Sequence, residues 1–207
     1  MNRAQVKVAG IVLAAGASSR MGTTKQLLTV GGETLIERIV RRALGSELDR
    51  VIVVLGHEAQ RIEKNIAPLL IHPGVSVVEN RDHRQGISSS IVAGIQAVEV
   101  THDYAMIFLA DMPGISSGMI NLLCDRCLNS GLPIGAIREK DRPAHPVIFG
   151  RVLFSELKRL KGDVGARSLL KKYSHRVCLV EPLGDYNSLD IDTPEDYAGF
   201  EGMNVEH

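Results

Sequence analysis

Arg20 and Lys25 stand at the end of "LAAGASSRMGTTK", a stretch in which Met21 is the one large apolar side chain after Leu13. Small residues such as Ala14, Ala15, Gly16, Ala17, Ser18 and Ser19 let a backbone approach a ligand closely. Consecutive N–H groups in such a loop form a nest for an anion. A guanidinium holds phosphate oxygens two at a time, and an ammonium on a flexible stem adds a point charge. These types and this spacing fit a polyphosphate cradle. The stretch matches neither the G-x-x-x-x-G-K-S/T phosphate loop nor the G-x-G-x-x-G dinucleotide turn, so neither of those folds is supported. A surface loop with incidental cations is the plain alternative. The apolar run of residues 6–13 leading straight into the loop argues against it.

Carboxylates come next. Asp111 follows the apolar "MIFLA", which puts it at the carboxyl end of a strand. A carboxylate beside a polyphosphate suits Mg²⁺, a hard cation that keeps several waters; a turn aspartate is the equally simple reading. Asp190 and Asp192 in "SLDIDTPEDY" are two apart, so on a strand they share a face, and one or both could complete a metal site with Asp111. Asp192 equally suits the N-cap of a helix with Pro194 in its first position.

Three further segments carry polar residues at useful places. "ENRDHRQGISSS" sets Asn80, Gly86 and Ser88 at a strand-to-helix joint, where a base edge or an anion is met; a polar loop with an N-cap serine is the alternative. His145 lies between prolines in "RPAHPVIF", and Arg167 follows "KGDVGA". A structural histidine and a solvated arginine are the defaults there, although Arg167 could reach an anionic substrate. Asp163 reads as the N-cap of the helix after it. "CDRC" falls inside a helical pattern with only Cys178 elsewhere, which argues against redox or zinc chemistry.

The elements that must position these residues alternate. "RVIVVLG", "GVSVVEN" and "YAMIFLAD" are buried strands like residues 6–13, and "ETLIERIVRRALG", "EAQRIEKNIAPLL", "GISSSIVAGIQAVEV" and "SSGMINLLCDRCLNSG" are helices. Gly45 should stop the first helix, and Pro68 should end or disturb the second. The alternation implies an α/β fold, Rossmann-like, with a mostly parallel sheet flanked by helices on both faces. Ligands then bind beyond the strands' carboxyl ends, at the loops after Leu13, Val78 and Leu109. From Ile134 the strands shorten, which suggests a smaller C-terminal substrate lobe on the sheet edge. The chain reads as one domain, 1–207, with a nucleotide-binding half over about 1–130 and an acceptor-binding lobe over about 131–207 that returns to the metal site.

Composition bounds the partners. Lys+Arg and Asp+Glu are both 24, so a nucleic-acid partner is not expected. No apolar run reaches the roughly 18 residues of a membrane span, so no membrane partner is expected either. Three cysteines without a paired framework suggest a reducing compartment, the cytoplasm.

The segments "LAAGASSRMGTTKQLL", "NRDHRQGISSSIVAGI", "FLADMP", "RPAHPVIFGR", "GDVGARSLL" and "DIDTPEDY" occur in the order found in the molybdenum cofactor nucleotidyltransferases. The chain resembles that family over nearly its whole length, and most closely the branch that uses CTP. The first motif is shared by many nucleotidyltransferases; "HPVIF" and "GDVGAR" are particular to this branch, with Ala144 standing where the family more usually has glycine. The resemblance implies Mg²⁺ as cofactor and transfer of CMP from CTP to the terminal phosphate of molybdopterin or the molybdenum cofactor, with release of pyrophosphate. It implies that Arg20 and Lys25 hold the triphosphate and, with Asp111, form the catalytic set. Leu13, Ala14, Ala15, Gly16, Asn80, Gly86 and Ser88 would frame the nucleotide, Asp111 and Asp192 the metal, and His145 and Arg167 the acceptor. A transient contact with a molybdenum hydroxylase or its chaperone is the further partner implied. Two alternatives stand beside this reading: a non-catalytic factor that carries the cofactor to such a hydroxylase, and a cytidylyltransferase acting on another phosphorylated acceptor.

Overall fold

The computed structural model describes residues 6–17, 21–182, 184, 186, 190, 191 and 193–204, without the side chains of 201–204. In chain order the first apolar run becomes β1 (Val8–Ala14), followed by a small hairpin of β2 (Thr29–Val30) and β3 (Glu33–Thr34) and by α1 (Leu35–Leu44). Alternation then continues through β4 (Arg50–Leu55), α2 (Ala59–Leu70), β5 (Val75–Glu79), α3 (Ile87–Val98), β6 (Tyr104–Leu109) and α4 (Ser117–Ser130). The remainder comprises β7 (Ile134–Glu139), β8 (Arg142–Gly150), α5 (Phe154–Leu157), α6 (Arg167–Lys172), β9 (Val177–Val180) and α7 (Pro194–Asn204).

Seven strands form one sheet in the order β5-β4-β1-β6-β8-β7-β9. The pairs β5–β4, β4–β1, β1–β6 and β7–β9 are parallel, and β8 runs antiparallel to both neighbours. This is the mostly parallel, Rossmann-like sheet read from the sequence. The smaller C-terminal part is built on its edge, with β8, β7 and β9 extending the sheet beyond β6. Alternate residues of β1 divide between two cores. Val8, Val12 and Ala14 pack toward α1, α2 and α4. Ala9, Ile11 and Leu13 pack toward α3, α5 and α6. A sheet buried on both faces explains why its central strands read as continuous apolar runs.

Local signals account for the helix ends. Thr34 and Glu37 form a reciprocal capping box at α1, and Gly45 follows it as the C-cap. Pro68 neither ends nor breaks α2; it sits exposed in the last turn and the helix runs on to Leu70. Its missing N–H removes a single bond close to the end, and its ring faces away from the core. No helix among the described residues is long and apolar enough to cross a membrane. None of the cysteines is in a disulfide. Burial pushes the Cys127 thiol up to about 12, which fits a packing role for "CDRC".

The layer of α3 on β1 is unusually close. A Cβ added at Gly94 would lie 2.4 Å from Ile11 Cγ2 and 3.3 Å from Val54 Cγ2. Gly94→Ala should therefore lower stability by about 1–3 kcal/mol through overpacking, despite the better helix propensity of alanine. Urea unfolding checks this; an unchanged or raised midpoint would show that the layers can part freely.

Candidate active site

The parallel register of β1 and β6 puts Leu13 beside Leu109, so the loops that follow them leave the sheet side by side. Ala110 N–H donates to Leu13 O at 3.2 Å and holds the two exits together. Asp111 stands just past the end of β6. A short 3₁₀ turn, Lys25–Leu27, brings the opening loop back across this edge, and Lys25 Nζ pairs with Asp111 Oδ2. Their side chains are only 16% and 12% exposed, so the pair is largely shielded from water. Asp111 Oδ1 is buried and, among the described residues, accepts no hydrogen bond. A hard carboxylate oxygen without a donor, inside a polar crevice, fits a divalent cation. Among the described residues no group of three or more His, Cys, Asp or Glu could hold a metal. Mg²⁺ needs no such group, because one or two carboxylates with phosphate oxygens and water complete its shell.

The C-terminal segment returns to this point. Ile191 N–H donates to the main-chain oxygen of Asp111 at 3.0 Å, and the Ile191 side chain is fully buried with Val30, Leu35 and Phe200. This places Asp190 and Ile191 beside Asp111. Asp192, the second expected metal ligand, lies outside the described residues, as does Arg20. The helix-capping role weighed for Asp192 belongs to Thr193: its Oγ1 accepts from Asp196 N–H at 3.2 Å, and its own N–H donates to Asp196 Oδ2 at 2.8 Å. Tyr186 ties the same segment to β8 by donating to His145 O at 2.6 Å. Burial raises the Tyr186 hydroxyl above its ordinary range, with Glu139 and Asp190 adding to the effect, so it stays a donor.

Asn80, Gly86 and Ser88 do come together, as a framework. Asn80 Nδ2 donates to Ser89 Oγ at 2.8 Å and Ser90 Oγ at 3.0 Å, while its Oδ1 accepts from Asp82 N–H at 3.0 Å. Gly86 has φ +99°, and an added Cβ would lie 2.5 Å from Asp163 Oδ1 and from Gly162 C. Ser88 Oγ donates to Gly162 O at 2.6 Å, and Ile87 N–H donates to Asp163 Oδ1 at 3.3 Å. Asp163 thus caps α3, a distant helix, and not α6, whose N-cap is Ala166. The α3 N-terminus expected to meet an anion already holds this carboxylate. A groove of about 970 Å³ runs from Asn80 and Ser88 along α3, over Val78, Val92, Ala93 and Leu160. Lys25 and Asp111 are not part of its lining.

His145 Nδ1 lies 3.4 Å from Ile107 O. Burial pulls the imidazole below its usual pKa; Arg167 lowers it further, while Asp111 acts in the opposite sense. The imidazole is thus neutral at pH 7, and His145, Arg167 and Asp111 share one electrostatic neighbourhood. Ala15 is buried, and a Cβ at Gly56 would fall 2.8 Å from its methyl group. That methyl packs against the turn after β4. Gly16 is exposed, and an added Cβ there would meet nothing within 4 Å.

Two features escaped the sequence reading. Gln26, buried beneath the loop, donates to Gly16 O at 3.0 Å and Ala14 O at 3.4 Å. Glu58, in a left-handed conformation at φ 49°, accepts from Thr24 Oγ1 and ties the lysine's turn to the start of α2. Gln26 left a trace in the sequence, a polar residue directly after Lys25 where a buried side chain is needed.

The sheet, the open loop at the carboxyl end of β1 and the cation–carboxylate pair across that edge define a nucleotidyltransferase fold. The chain matches the MobA-like NTP transferase domain over residues 10–177 and belongs to that family. It is 35% identical over 193 residues to the purine catabolism protein PucB of Bacillus subtilis, with 91% of this chain and 93% of the relative aligned. It is 30% identical to nicotine blue oxidoreductase of Paenarthrobacter nicotinovorans, with 91% and 93% aligned. Identity to molybdenum cofactor cytidylyltransferase of Escherichia coli is 26%, with 90% and 92% aligned. The crystal structure of Rv0371c from Mycobacterium tuberculosis superposes with a TM-score of 0.82 at 28% identity, covering 95% of this chain and 98% of that one. Rv0371c is also known as a complex with manganese.

Asp163→Ala should cost about 1 kcal/mol by uncapping α3, and Gly86→Ala more, because both its φ and the space around it exclude a side chain. Thermal unfolding of the two variants checks the order. A larger loss for Asp163→Ala would show that the loop at 162–165 is held chiefly by that carboxylate.

Proposed function

We propose that the protein transfers CMP from CTP to the terminal phosphate of molybdopterin or the molybdenum cofactor, giving the cytosine dinucleotide and pyrophosphate. The observation that carries this is the shielded Lys25–Asp111 pair at the carboxyl edge of β1 and β6, with one Asp111 oxygen lacking a donor among the described residues. A triphosphate at this edge takes Lys25, together with Arg20, and leaves Asp111 for a cation. Mg²⁺ held by Asp111 and Asp192 would neutralise charge on the phosphate oxygens. The acceptor phosphate is already an anion at neutral pH, so no strong base is required; the difficulty is bringing two anions together in line. Arg167, within electrostatic reach of His145 on β8, would receive the acceptor phosphate. With its one N–H turned to Ile107 O, a neutral His145 ring presents Nε2 as an acceptor, suited to an N–H or O–H of the acceptor molecule and not to its phosphate oxygens.

CTP is supported by the "LAAG" of the opening loop and by the cytidylyltransferase among the relatives. The names of the more similar relatives, a purine catabolism protein and an oxidoreductase, favour a second reading, a factor that hands the cofactor to a molybdenum hydroxylase without transfer. The Lys25–Asp111 pair speaks for transfer, because a carrier has no use for a triphosphate and metal constellation.

Lys25→Ala should lower turnover by roughly two to three powers of ten, the usual loss for one charge-stabilising group. Unchanged turnover in a folded variant would remove Lys25 from the reaction. With molybdopterin or its molybdenum form offered with each of the four nucleoside triphosphates, pyrophosphate should appear, fastest with CTP. Preference for GTP would overturn the base assignment, and no pyrophosphate from any pair would favour the carrier.

A further inference from the structure

Gln26 has the burial of a core residue, 2% exposed, yet carries a carboxamide. Burying such a group is unfavourable unless its hydrogen bonds are made. Its Nε2 reaches Gly16 O at 3.0 Å and Ala14 O at 3.4 Å. The carbonyls between and before these are also engaged: Ala15 O accepts from His57 N–H at 3.2 Å, and Leu13 O from Ala110 N–H at 3.2 Å. Four consecutive carbonyl oxygens, those of residues 13–16, are therefore drawn to donors from three separate parts of the chain. In a planar trans peptide the C=O of one residue and the N–H of the next point in opposite directions. With the carbonyls of Ala14 and Gly16 aimed at the buried amide, the N–H groups of Ala15 and Ala17 point away from it. A carbonyl turned outward at this edge would repel phosphate oxygens; an N–H turned outward attracts them.

We infer that Gln26 is a positioning residue for the triphosphate, its buried carboxamide drawing two loop carbonyls inward so that the alternate N–H groups are set for phosphate. The same 3₁₀ turn, Lys25–Leu27, carries both functions. Lys25 leaves it toward Asp111 and Gln26 toward the loop, so charge and hydrogen-bond donors are held in fixed relation. This deepens the proposed function and rests on its reading of the loop as a triphosphate site.

Two substitutions separate positioning from packing. Gln26→Met keeps length and removes both donors; Gln26→Glu keeps shape and, when ionised, offers only acceptors to two carbonyls. CTP binding with Mg²⁺, measured by titration calorimetry, should weaken tenfold or more in Gln26→Met. In turnover the KM for CTP should rise while the KM for the acceptor stays unchanged. For Gln26→Glu, affinity should fall once the carboxyl ionises, because a carboxylate cannot donate to the two carbonyls. In the wild-type protein, the amide resonances of Ala15 and Ala17 should move on CTP titration, a measurement that needs no variant.

Wild-type affinity in folded Gln26→Met, or unmoved Ala15 and Ala17 amides while CTP binds, would each overturn the positioning role. Failure of the wild-type protein to bind any of the four nucleoside triphosphates would instead overturn the proposed function, and the inference with it.

Discussion

A positive and a negative side chain, Lys25 and Asp111, meet in a shielded crevice where two parallel strands end, and much of the fold serves to bring them there. Taking two charges out of water is costly, and each of the two offsets part of that cost for the other. The sheet register fixes Asp111. The 3₁₀ turn fixes Lys25, and that turn is itself tied down by Gln26 to the loop and by Thr24 to Glu58. The C-terminal segment closes the arrangement through the bond from Ile191 to the Asp111 carbonyl.

The remaining elements divide into walls and supports. Asn80, Gly86 and Ser88 spend their hydrogen bonds on the framework, locking the loop after β5, the start of α3 and the loop at 162–165 into one unit. This unit carries α6 and with it Arg167, within electrostatic reach of His145.

The central architecture was legible because sheets covered on both faces leave continuous apolar runs, and because punctuation by Gly45 is local. The place of Asp111, just past the end of a buried strand, was legible from the apolar run before it, whereas its pairing with Lys25 depends on a turn 86 residues away in the chain. Pro68 misled, since the cost of a proline depends on how many turns follow it, which periodicity does not reveal. The caps were misassigned for a related reason. Asp163 reaches Ile87, 76 positions away in the chain, and Thr193 takes the role weighed for Asp192. Which of two neighbouring polar residues caps, and which helix it caps, is decided by tertiary packing. Gln26 went unnoticed because a buried amide serving backbone carbonyls has no periodic signature.

A crystal structure of the protein with CTP and Mn²⁺ tests the central claim most directly. Lys25 should leave Asp111 and lie on phosphate oxygens, with the metal on Asp111 and the triphosphate over the loop that follows β1. A bound nucleotide elsewhere, in the groove along α3 for instance, with the Lys25–Asp111 pair intact, would contradict it.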